Sequence, residues 1–246
     1  YFNSEQEYVA KREDRIRESL NRLEEELGYK DLSRIECYDI SNIQGQMSYG
    51  SMTVALNGIS TNSHYRIFKI KEDGKPEDPQ MLKEVLTRRL GHIHKDKDES
   101  LSSKPDMLLI DGGVSQLSYI KSIVPSDIYL LGISKGKRLK RKGAKKVDEF
   151  WKVENGMIER VEVKNKEILV NLRDEAHRFA LLHHRKLRKF VQKKSVLDEI
   201  EGIGLKRKKE LLKKFGNIEG IKKASKDELY EVVKNIKVVE KLLALK

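Results

Sequence analysis

Apolar and polar positions alternate along residues 34–41, which predicts a β-strand with one buried face. Ile35, Cys37 and Asp39 share that face, because side chains alternate along a strand with a period of two. A carboxylate beside two apolar side chains is costly unless a cation, hydrogen bonds or solvent compensates for its burial. Only the first of these would make Asp39 catalytic, and the pattern by itself favours a surface or capping acid.

Two more strands predict an antiparallel meander. Residues 49–56 and 63–70 have strand patterns, and Asn57-Gly58 between them is a strong signal for a type I′ hairpin. Asp78-Pro79 then predicts the start of a helix that continues to Gly91, with Asp78 as its N-cap.

The next segment predicts parallel strands. Residues 107–111 form an apolar run, typical of a strand buried on both faces, that ends at Asp111-Gly112-Gly113. A helix over residues 115–123 and a strand over residues 128–133 complete a strand-helix-strand unit, which requires parallel pairing. A hairpin near residues 154–156 and a long helix over residues 168–190 follow.

The pattern changes after residue 194. Residues 197–246 predict short helices that break at 201–204, 215–217 and 235–237, which is too helical for a sheet. We therefore predict three segments: a linker helix over 1–33 that joins to a region upstream, an α/β domain with a mixed sheet over 34–194, and a small all-α domain over 195–246.

Composition limits the class of protein. A chain of 246 residues with 38% hydrophobic content can fill two cores. No apolar run approaches the roughly 20 residues that span a bilayer, and there is no charged-then-apolar leader, so we expect a soluble protein with no membrane partner. The single Cys excludes a disulfide framework and agrees with a cytoplasmic location. The absence of an initiating Met suggests a fragment of a longer chain.

The net charge of +12 is concentrated locally. Residues 135–146 contain eight Lys or Arg and no acid, whereas residues 1–31 contain more acids than bases. Such a block is either a solvated loop or a contact for a polyanion such as a nucleic-acid backbone. The candidate backbone contacts in this block are Lys137, Arg138, Lys140 and Arg141. Arg185 and Arg188, near the end of the long helix, are further candidates.

Two acids at strand ends suggest a metal site. Asp39 and Asp111 would lie side by side if their strands are neighbours in an open α/β sheet. Because two adjacent carboxylates repel, a divalent cation between them is the natural resolution, and oxygen ligands favour Mg²⁺ or Mn²⁺. The alternative for Asp111 is a turn-forming acid before two glycines.

A second candidate site lies in the helical segment. Gly202-Ile203-Gly204 separates two predicted helices, where glycines let backbone N–H groups approach a phosphate, with Lys206 and Arg207 alongside. A tight helix-helix turn is the alternative. A second hairpin, expected at residues 235–237, lacks both glycines, although Asn tolerates left-handed conformations.

Four motifs in order resemble the UvrC family of the bacterial UvrABC excinuclease, in its C-terminal half. They are Glu36-Cys-Tyr-Asp-Ile-Ser41, Glu84-Val-Leu-Thr-Arg-Arg89, Leu109-Ile-Asp-Gly-Gly113 and Arg173-Asp-Glu-Ala-His-Arg-Phe-Ala180. The resemblance covers residues 34–246 and implies an RNase H-like endonuclease domain followed by a tandem helix-hairpin-helix domain. It also implies that the chain lacks the family's N-terminal nuclease and its main UvrB-contacting segment.

The resemblance implies a catalytic and metal-binding set of Asp39, Asp111 and His177. Asp78 matches a further acid and is a secondary candidate, although an N-cap role explains it equally well. On the long helix, His177 shares a polar stripe with Arg173, His184 and Arg188, and such a stripe is usually solvated.

The sequence therefore predicts a Mg²⁺- or Mn²⁺-dependent DNA endonuclease. The resemblance implies that it cuts on the 5′ side of a lesion in double-stranded DNA presented by UvrB. Two alternatives are open: a non-catalytic DNA-binding module with structural acids, and another RNase H-like enzyme such as a transposase or an RNA-hybrid nuclease.

Overall fold

The computed structural model describes residues 2–43, 47–71, 79–136, 147–198 and 200–244. It divides into two units, Tyr1–Leu182 and His183–Lys246. The division lies inside one long helix, whereas the sequence pattern places a domain boundary near residue 194, where the basic run ends. That functional boundary stays a prediction.

The first unit is built on a mixed sheet with helices on both faces. Its elements in chain order are α1 (Phe2–Leu27), β1 (Arg34–Ile43), β2 (Met47–Leu56), β3 (Ile59–Ser60), a 3₁₀ turn (Asn62–His64), β4 (Arg66–Lys69), α2 (Pro79–Gly91), α3 (Glu99–Ser102), β5 (Met107–Asp111), α4 (Val114–Ile120), β6 (Tyr129–Lys135), β7 (Asp148–Glu154), β8 (Met157–Val161) and α5 (Glu167–Asp198). The helix α5 continues into the second unit.

Among the described residues the sheet has the order β3-β2-β1-β5-β6-β7-β8, and β4 also pairs with β2. Strands β1, β2 and β4 form the predicted antiparallel meander. Strands β1, β5 and β6 are parallel, since α4 carries the chain from β5 to β6. The pairing confirms the expected mixed sheet.

Local turn chemistry matches the sequence at two hairpins. Asn57 and Gly58 have φ of 49° and 79°, and Asn155 and Gly156 have φ of 50° and 75°. Both residues of a type I′ turn need positive φ, which Asn and Gly accept. The expected single strand over residues 63–70 is wrong in its first part. Before it, a short β3 follows the hairpin turn and pairs with β2. A 3₁₀ turn then covers Asn62–His64, so that of the predicted strand only Arg66–Lys69 pair with β2.

Two apolar cores cover the two faces of the sheet. One face packs against α5 and the end of α1, and its core includes Ile35, Cys37, Leu109 and Leu172. The other face packs against α2 and α4.

The end of α1 belongs to the first core. Leu20, Leu23 and Leu27 are buried there, so the segment predicted as a linker over residues 1–33 is not separate from the sheet. An amphipathic helix buries its apolar stripe when a sheet face is available to cover it.

The second unit is helical, as predicted. It contains the end of α5 and four short helices, α6 (Leu205–Phe215), α7 (Ile218–Lys223), α8 (Lys226–Val233) and α9 (Ile236–Leu243). Leu197, Leu211, Leu229 and Val239 lie in its separate core. In the part of the chain that the structure covers, no helix has the length and apolarity needed to cross a membrane.

Candidate active site

The β1 acid is held on the sheet face that packs against α5. Asp39 follows Ile35 and Cys37 on this face, and only 9% of it is exposed. The Ser41 hydroxyl donates a hydrogen bond of 2.9 Å to Asp39 Oδ2 and meets part of the cost of burial. Two residues further along a strand is again the same face, so β1 itself supplies this donor.

The β5 acid lies beside Asp39. Parallel pairing sets Cys37 against Leu109 and Tyr38 against Ile110, so Asp39 and Asp111 occupy the next position of the same register. Neighbouring strands are about 4.8 Å apart. The sheet therefore brings the two predicted carboxylates together where β1 and β5 leave the core.

The two carboxylates perturb each other and their surroundings. Burial, and then the charge of Asp39, raise the pKa of Asp111 above its usual range, although Arg173, Lys135 and His177 act in the opposite direction. Burial first, and then the charges of Asp111 and Asp39, also raise the pKa of the Cys37 thiol. A concentration of negative charge in a partly desolvated position favours a bound cation.

His177 completes the predicted set from above the sheet. Its Nδ1 lies 3.9 Å from Asp39 Oδ2, and its side chain is 63% exposed. The helix that carries it is fixed to β2, because the hydroxyls of Ser51 and Thr53 donate to the carbonyl oxygens of Ala176 and Leu172, both at 3.3 Å. The position of the imidazole thus follows from the docking of α5.

The donor set suits a hydrated divalent cation. Within the described residues, no three His, Cys, Asp or Glu side chains converge as a ready metal cage. Mg²⁺ does not require such a cage, because it usually keeps several waters and binds through one or two carboxylates. Asp39 and Asp111 fit that requirement, whereas His177 is a less direct ligand and is also placed to exchange a proton.

The predicted polar stripe of α5 is wrong for two of its members. Arg173 and His184 are buried, at 7% and 8% exposure, whereas His177 is exposed. The buried stripe drifts around the helix, because 3.6 residues make a turn and α5 is long. Arg173 can be buried because its guanidinium pairs with Asp148 at 2.5 Å and with Asp174 at 2.7 Å.

Sequence reasoning missed a buried ionic network on the opposite face of β1. Glu36 is fully buried and accepts hydrogen bonds from Arg89 Nη2 at 2.6 Å, from Arg34 Nε at 2.8 Å and from the Tyr38 hydroxyl at 2.6 Å. Arg89 also donates to the carbonyl oxygens of Leu101 and Ser103.

This network locks β1, α2 and the segment near α3 together. The sequence contained a signal for this network. Glu36 and Tyr38 are two residues apart on β1 and therefore share one face of the strand, whereas Ile35 and Cys37 make the other face apolar.

The secondary site candidate and several predicted nucleic-acid contacts fall in segments that the structure does not describe. Asp78 and the basic residues Lys137, Arg138, Lys140 and Arg141 lie outside the described residues, as does the side chain of Arg188. Arg185 is exposed on α5.

The first glycine hairpin has the geometry of an open helix start. Gly202 has φ of 99°, and Gly204 is the N-cap of α6 without a side-chain cap. A Cβ on Gly204 would meet nothing within 4 Å, so the approach to this helix end is clear. Arg207 donates to the carbonyl oxygen of Gly202 at 2.8 Å, and Lys206 is exposed.

Ile203 differs from the expectation for a contact residue, because its side chain is buried in the core of the second unit and its N–H donates to Ile200.

The second hairpin is capped by its own side chain. Asn235 Oδ1 accepts hydrogen bonds from the backbone N–H groups of Lys237 and Val238. The left-handed residue is Lys234, with φ of 49°, and not Asn235 as the sequence suggested. Two of the N–H groups that a phosphate would need are therefore already used.

Comparison with known families identifies the first unit. The model of the UvrC RNAse H endonuclease domain matches residues 24–181. The matched range includes Asp39, Asp111 and His177, and it begins within α1, in agreement with the packing of the end of that helix in the core.

Curated relatives match over most of the chain. The UvrABC system protein C of Finegoldia magna is 39% identical over 227 residues, which is 90% of this chain and 36% of that protein. The UvrABC system protein C of Fusobacterium nucleatum is 36% identical over 239 residues, which is 92% of this chain and 37% of that protein. The chain thus spans about a third of the length of these relatives.

Among solved structures, human ENDOV matches with a TM-score of 0.39 and 12% identity, covering 64% of this chain and 86% of that chain.

Proposed function

Since this chain belongs to the UvrC RNase H endonuclease domain family, we propose that its first unit hydrolyses phosphodiester bonds of damaged DNA with a divalent cation, in nucleotide excision repair. Asp39 and Asp111 hold the cation, and His177 assists the chemistry. The second unit binds duplex DNA. The proposed incision is the one on the 5′ side of the lesion, and Mg²⁺ or Mn²⁺ is the proposed ion.

One observation supports the proposal above the others. The β1–β5 register sets Asp39 and Asp111 side by side at a sheet edge where burial and mutual repulsion raise the pKa of Asp111. A purely structural pair of acids would gain nothing from this juxtaposition, because each destabilises the charged form of the other.

The residues have distinct tasks in the proposed hydrolysis. The bound cation would supply Lewis-acid activation of the water and of the phosphate. Asp39 and Asp111 position that charge at the sheet edge, and Ser41 orients the Asp39 carboxylate through its hydrogen bond. The water oxygen attacks phosphorus while the bond to the leaving sugar oxygen breaks. His177, exposed and 3.9 Å from Asp39, is placed to take a proton from the water or to give one to the leaving oxygen.

Partner and location follow from the family. We propose a complex of UvrB with lesion-containing double-stranded DNA as the substrate and the cytoplasm as the compartment. The hairpin at Gly202–Gly204, with Lys206 and Arg207, would contact the backbone through open N–H groups and cationic side chains. We also propose backbone contacts by Lys137, Arg138, Lys140, Arg141, Arg185 and Arg188, and a role for Asp78 stays a prediction.

The rival functions differ in what they predict. A DNA-binding module with structural acids would bind duplex DNA and ignore divalent ions. An RNA-hybrid nuclease would cut a hybrid in preference to a DNA duplex. The packing of α5 and β1 into one acidic edge favours the enzyme, because an acidic edge by itself repels a polyanion.

The test is an incision assay on a duplex with one defined lesion, with the chain supplied at high concentration together with UvrB. We expect a single nick 5′ to the lesion that requires Mg²⁺ or Mn²⁺ and disappears in Asp39→Asn. An undamaged duplex and an RNA–DNA hybrid of the same sequence are the controls. Incision without a divalent ion, or by Asp39→Asn at the wild-type rate, contradicts the proposal.

A further inference from the structure

The sheet edge that holds the two acids also holds a lysine. Lys135 is the last residue of β6. Leu131 and Ile133 of β6 lie in the core under α5, so alternation places Lys135 on the same face as Asp111. Ile133 is the β6 neighbour of Asp111, and Lys135 lies two positions beyond it, about 6.6 Å further along the strand. That separation is within the reach of a lysine side chain.

The acid that faces this lysine across the sheet already forms an ion pair with another residue. Asp148 is directly opposite Lys135 in the β6–β7 pairing. Its Oδ1, however, lies 2.5 Å from Nη1 of the buried Arg173. Arg173 therefore pairs with the acid that is directly opposite Lys135 in the strand register.

The ammonium group of Lys135 consequently stays available at the site. Lys135 is exposed, and within the described residues it forms no ion pair. The strand register keeps it near the acids, since Lys135 lies on the same face as Asp111 and two positions beyond the β6 neighbour of that residue. An ammonium group that is near the two acids but paired with neither can bind an anionic ligand.

We propose that Lys135 is a substrate-binding residue that donates a hydrogen bond to the DNA phosphate next to the one being hydrolysed. The proposal rests on the function proposed above and adds a residue to that site. Asp39 and Asp111 repel approaching DNA phosphates. An ammonium group at the same end of the strands offsets this repulsion for one phosphate, the one next to the scissile phosphate. Lysine suits the task because it binds phosphate as a point charge.

The experiment is a double-mutant cycle that combines a substitution of Lys135 in the protein with a modified phosphate in the DNA substrate. Wild type, Lys135→Ala and Lys135→Arg are compared in single-turnover incision at saturating DNA. Each phosphate flanking the scissile bond is replaced in turn by a neutral methylphosphonate. We expect Lys135→Ala to slow incision about 100-fold and Lys135→Arg to retain most of the rate, since it keeps the charge. At one flanking position the methylphosphonate should slow wild type strongly and leave Lys135→Ala unchanged.

Lys30→Ala is the matched control. Lys30 is an exposed lysine just before β1, at the other end of the strands, and its removal changes the net charge equally. Incision by Lys135→Ala at the rate of Lys30→Ala overturns the proposal. So does a cycle in which every methylphosphonate slows wild type and Lys135→Ala by the same factor.

The same cycle read as duplex affinity separates this proposal from the proposed function. If wild type binds but does not cut, the proposed nuclease function fails. A non-additive loss of affinity at one phosphate then still supports the lysine contact, and additive losses at all positions overturn it.

Discussion

At the scale of single residues, the environment rather than the residue type decides what each acid does. Glu36 and Asp39 lie three positions apart on β1 but face opposite sides of the sheet. Glu36 is fully buried and neutralised by two arginines, so it contributes to the fold. Asp39 has a hydroxyl donor and a like-charged neighbour and is not paired with any arginine that the structure describes, so we propose that a bound cation balances its charge.

Asp111→Asn should stabilise the protein in the absence of metal. The folded state raises the pKa of Asp111, so it holds that proton more tightly than the unfolded state does. Stability of the wild type therefore falls as pH rises through the interval between the ordinary pKa of Asp and the raised one, and the loss is complete above it. The variant should lack this loss and melt at a higher temperature at neutral pH.

Thermal unfolding with chelator and with Mg²⁺ measures the effect. Saturating Mg²⁺ at about 100 times its Kd should stabilise wild type by about 2.7 kcal/mol and leave Asp111→Asn nearly unchanged. Equal Mg²⁺ shifts in the two proteins would contradict the assignment of Asp111 as a metal ligand.

His177→Ala should slow single-turnover incision by about 100-fold, because the variant loses the imidazole that is proposed to transfer a proton or to bind the cation. Its stability should hardly change, since the side chain is 63% exposed. The rate is measured on preformed complexes at saturating Mg²⁺, so that weaker DNA binding is not mistaken for slower chemistry. Asn171→Ala, an exposed change on the same helix, is the control and should incise at the wild-type rate.

Equal incision rates for wild type and His177→Ala would restrict the site to the two acids. His184 on the same helix is unsuitable as a control, because it is buried and its removal would disturb packing.

At the scale of elements, two attachments define the geometry of the site. Hydroxyls of β2 fix α5, and with it His177, over the sheet. The network of Glu36 and Arg89 fixes β1 to α2 from the other face. Strand β1 is thus held on both sides within a few residues of Asp39, which keeps its carboxylate in register with Asp111.

Arg89→Met should lower the free energy of unfolding by about 3 kcal/mol, since it leaves Glu36 buried with fewer partners. Urea denaturation measures the change. Arg88→Met is the control. Arg88 is the preceding residue on α2, its side chain is 38% exposed and it pairs with Glu84, so its loss should cost at most about 1 kcal/mol. Similar losses for both variants would show that the network is not a special source of stability.

Gly204→Val should weaken duplex binding by about tenfold without changing the melting temperature. Its backbone has an ordinary negative φ of −82°, and a side chain there would enter open space, where the phosphate is expected. Gly202→Val is a poorer test, because φ of 99° and a Cβ approach of 2.7 Å to Val238 would strain the fold itself. Unchanged affinity of Gly204→Val would reduce the hairpin to a turn.

At the scale of the whole molecule, positive and negative charges are concentrated in different parts of the chain. The net charge is +12, yet Asp39 and Asp111 lie side by side at the proposed site. If the proposed function holds, long-range attraction of DNA has to come from basic segments elsewhere in the chain, because the acids themselves repel phosphates.

Neutralising Lys137, Arg138, Lys140 and Arg141 together should lower affinity for all duplex sequences alike. The slope of log affinity against log salt should flatten by as much as about 3.6 if all four residues contact phosphates. Binding titrations over a range of salt concentrations measure the slope. An unaltered slope would mean that the segment is only solvated.

The sequence determined most of the architecture because the relevant signals are local. Alternation on β1, the apolar run of β5 and the Asn-Gly turns each depend on a few neighbouring residues, and each matches the structure. Sequence also nominated Asp39, Asp111 and His177, by motif in the case of the histidine. It could not fix the start of β4 or the extent of α5, since these depend on pairing and docking with distant segments.

Only the tertiary structure decided which charged side chains are buried in ion pairs and which stay exposed. Sequence spacing put Arg173, His177 and His184 on one polar stripe, but docking of α5 buries the first and third and exposes the second. The pairing of β6 with β7 and the bridge from Arg173 to Asp148 leave Lys135 unpaired within the described residues. These outcomes depend on contacts between residues far apart in the chain, and a local pattern contains no information about them.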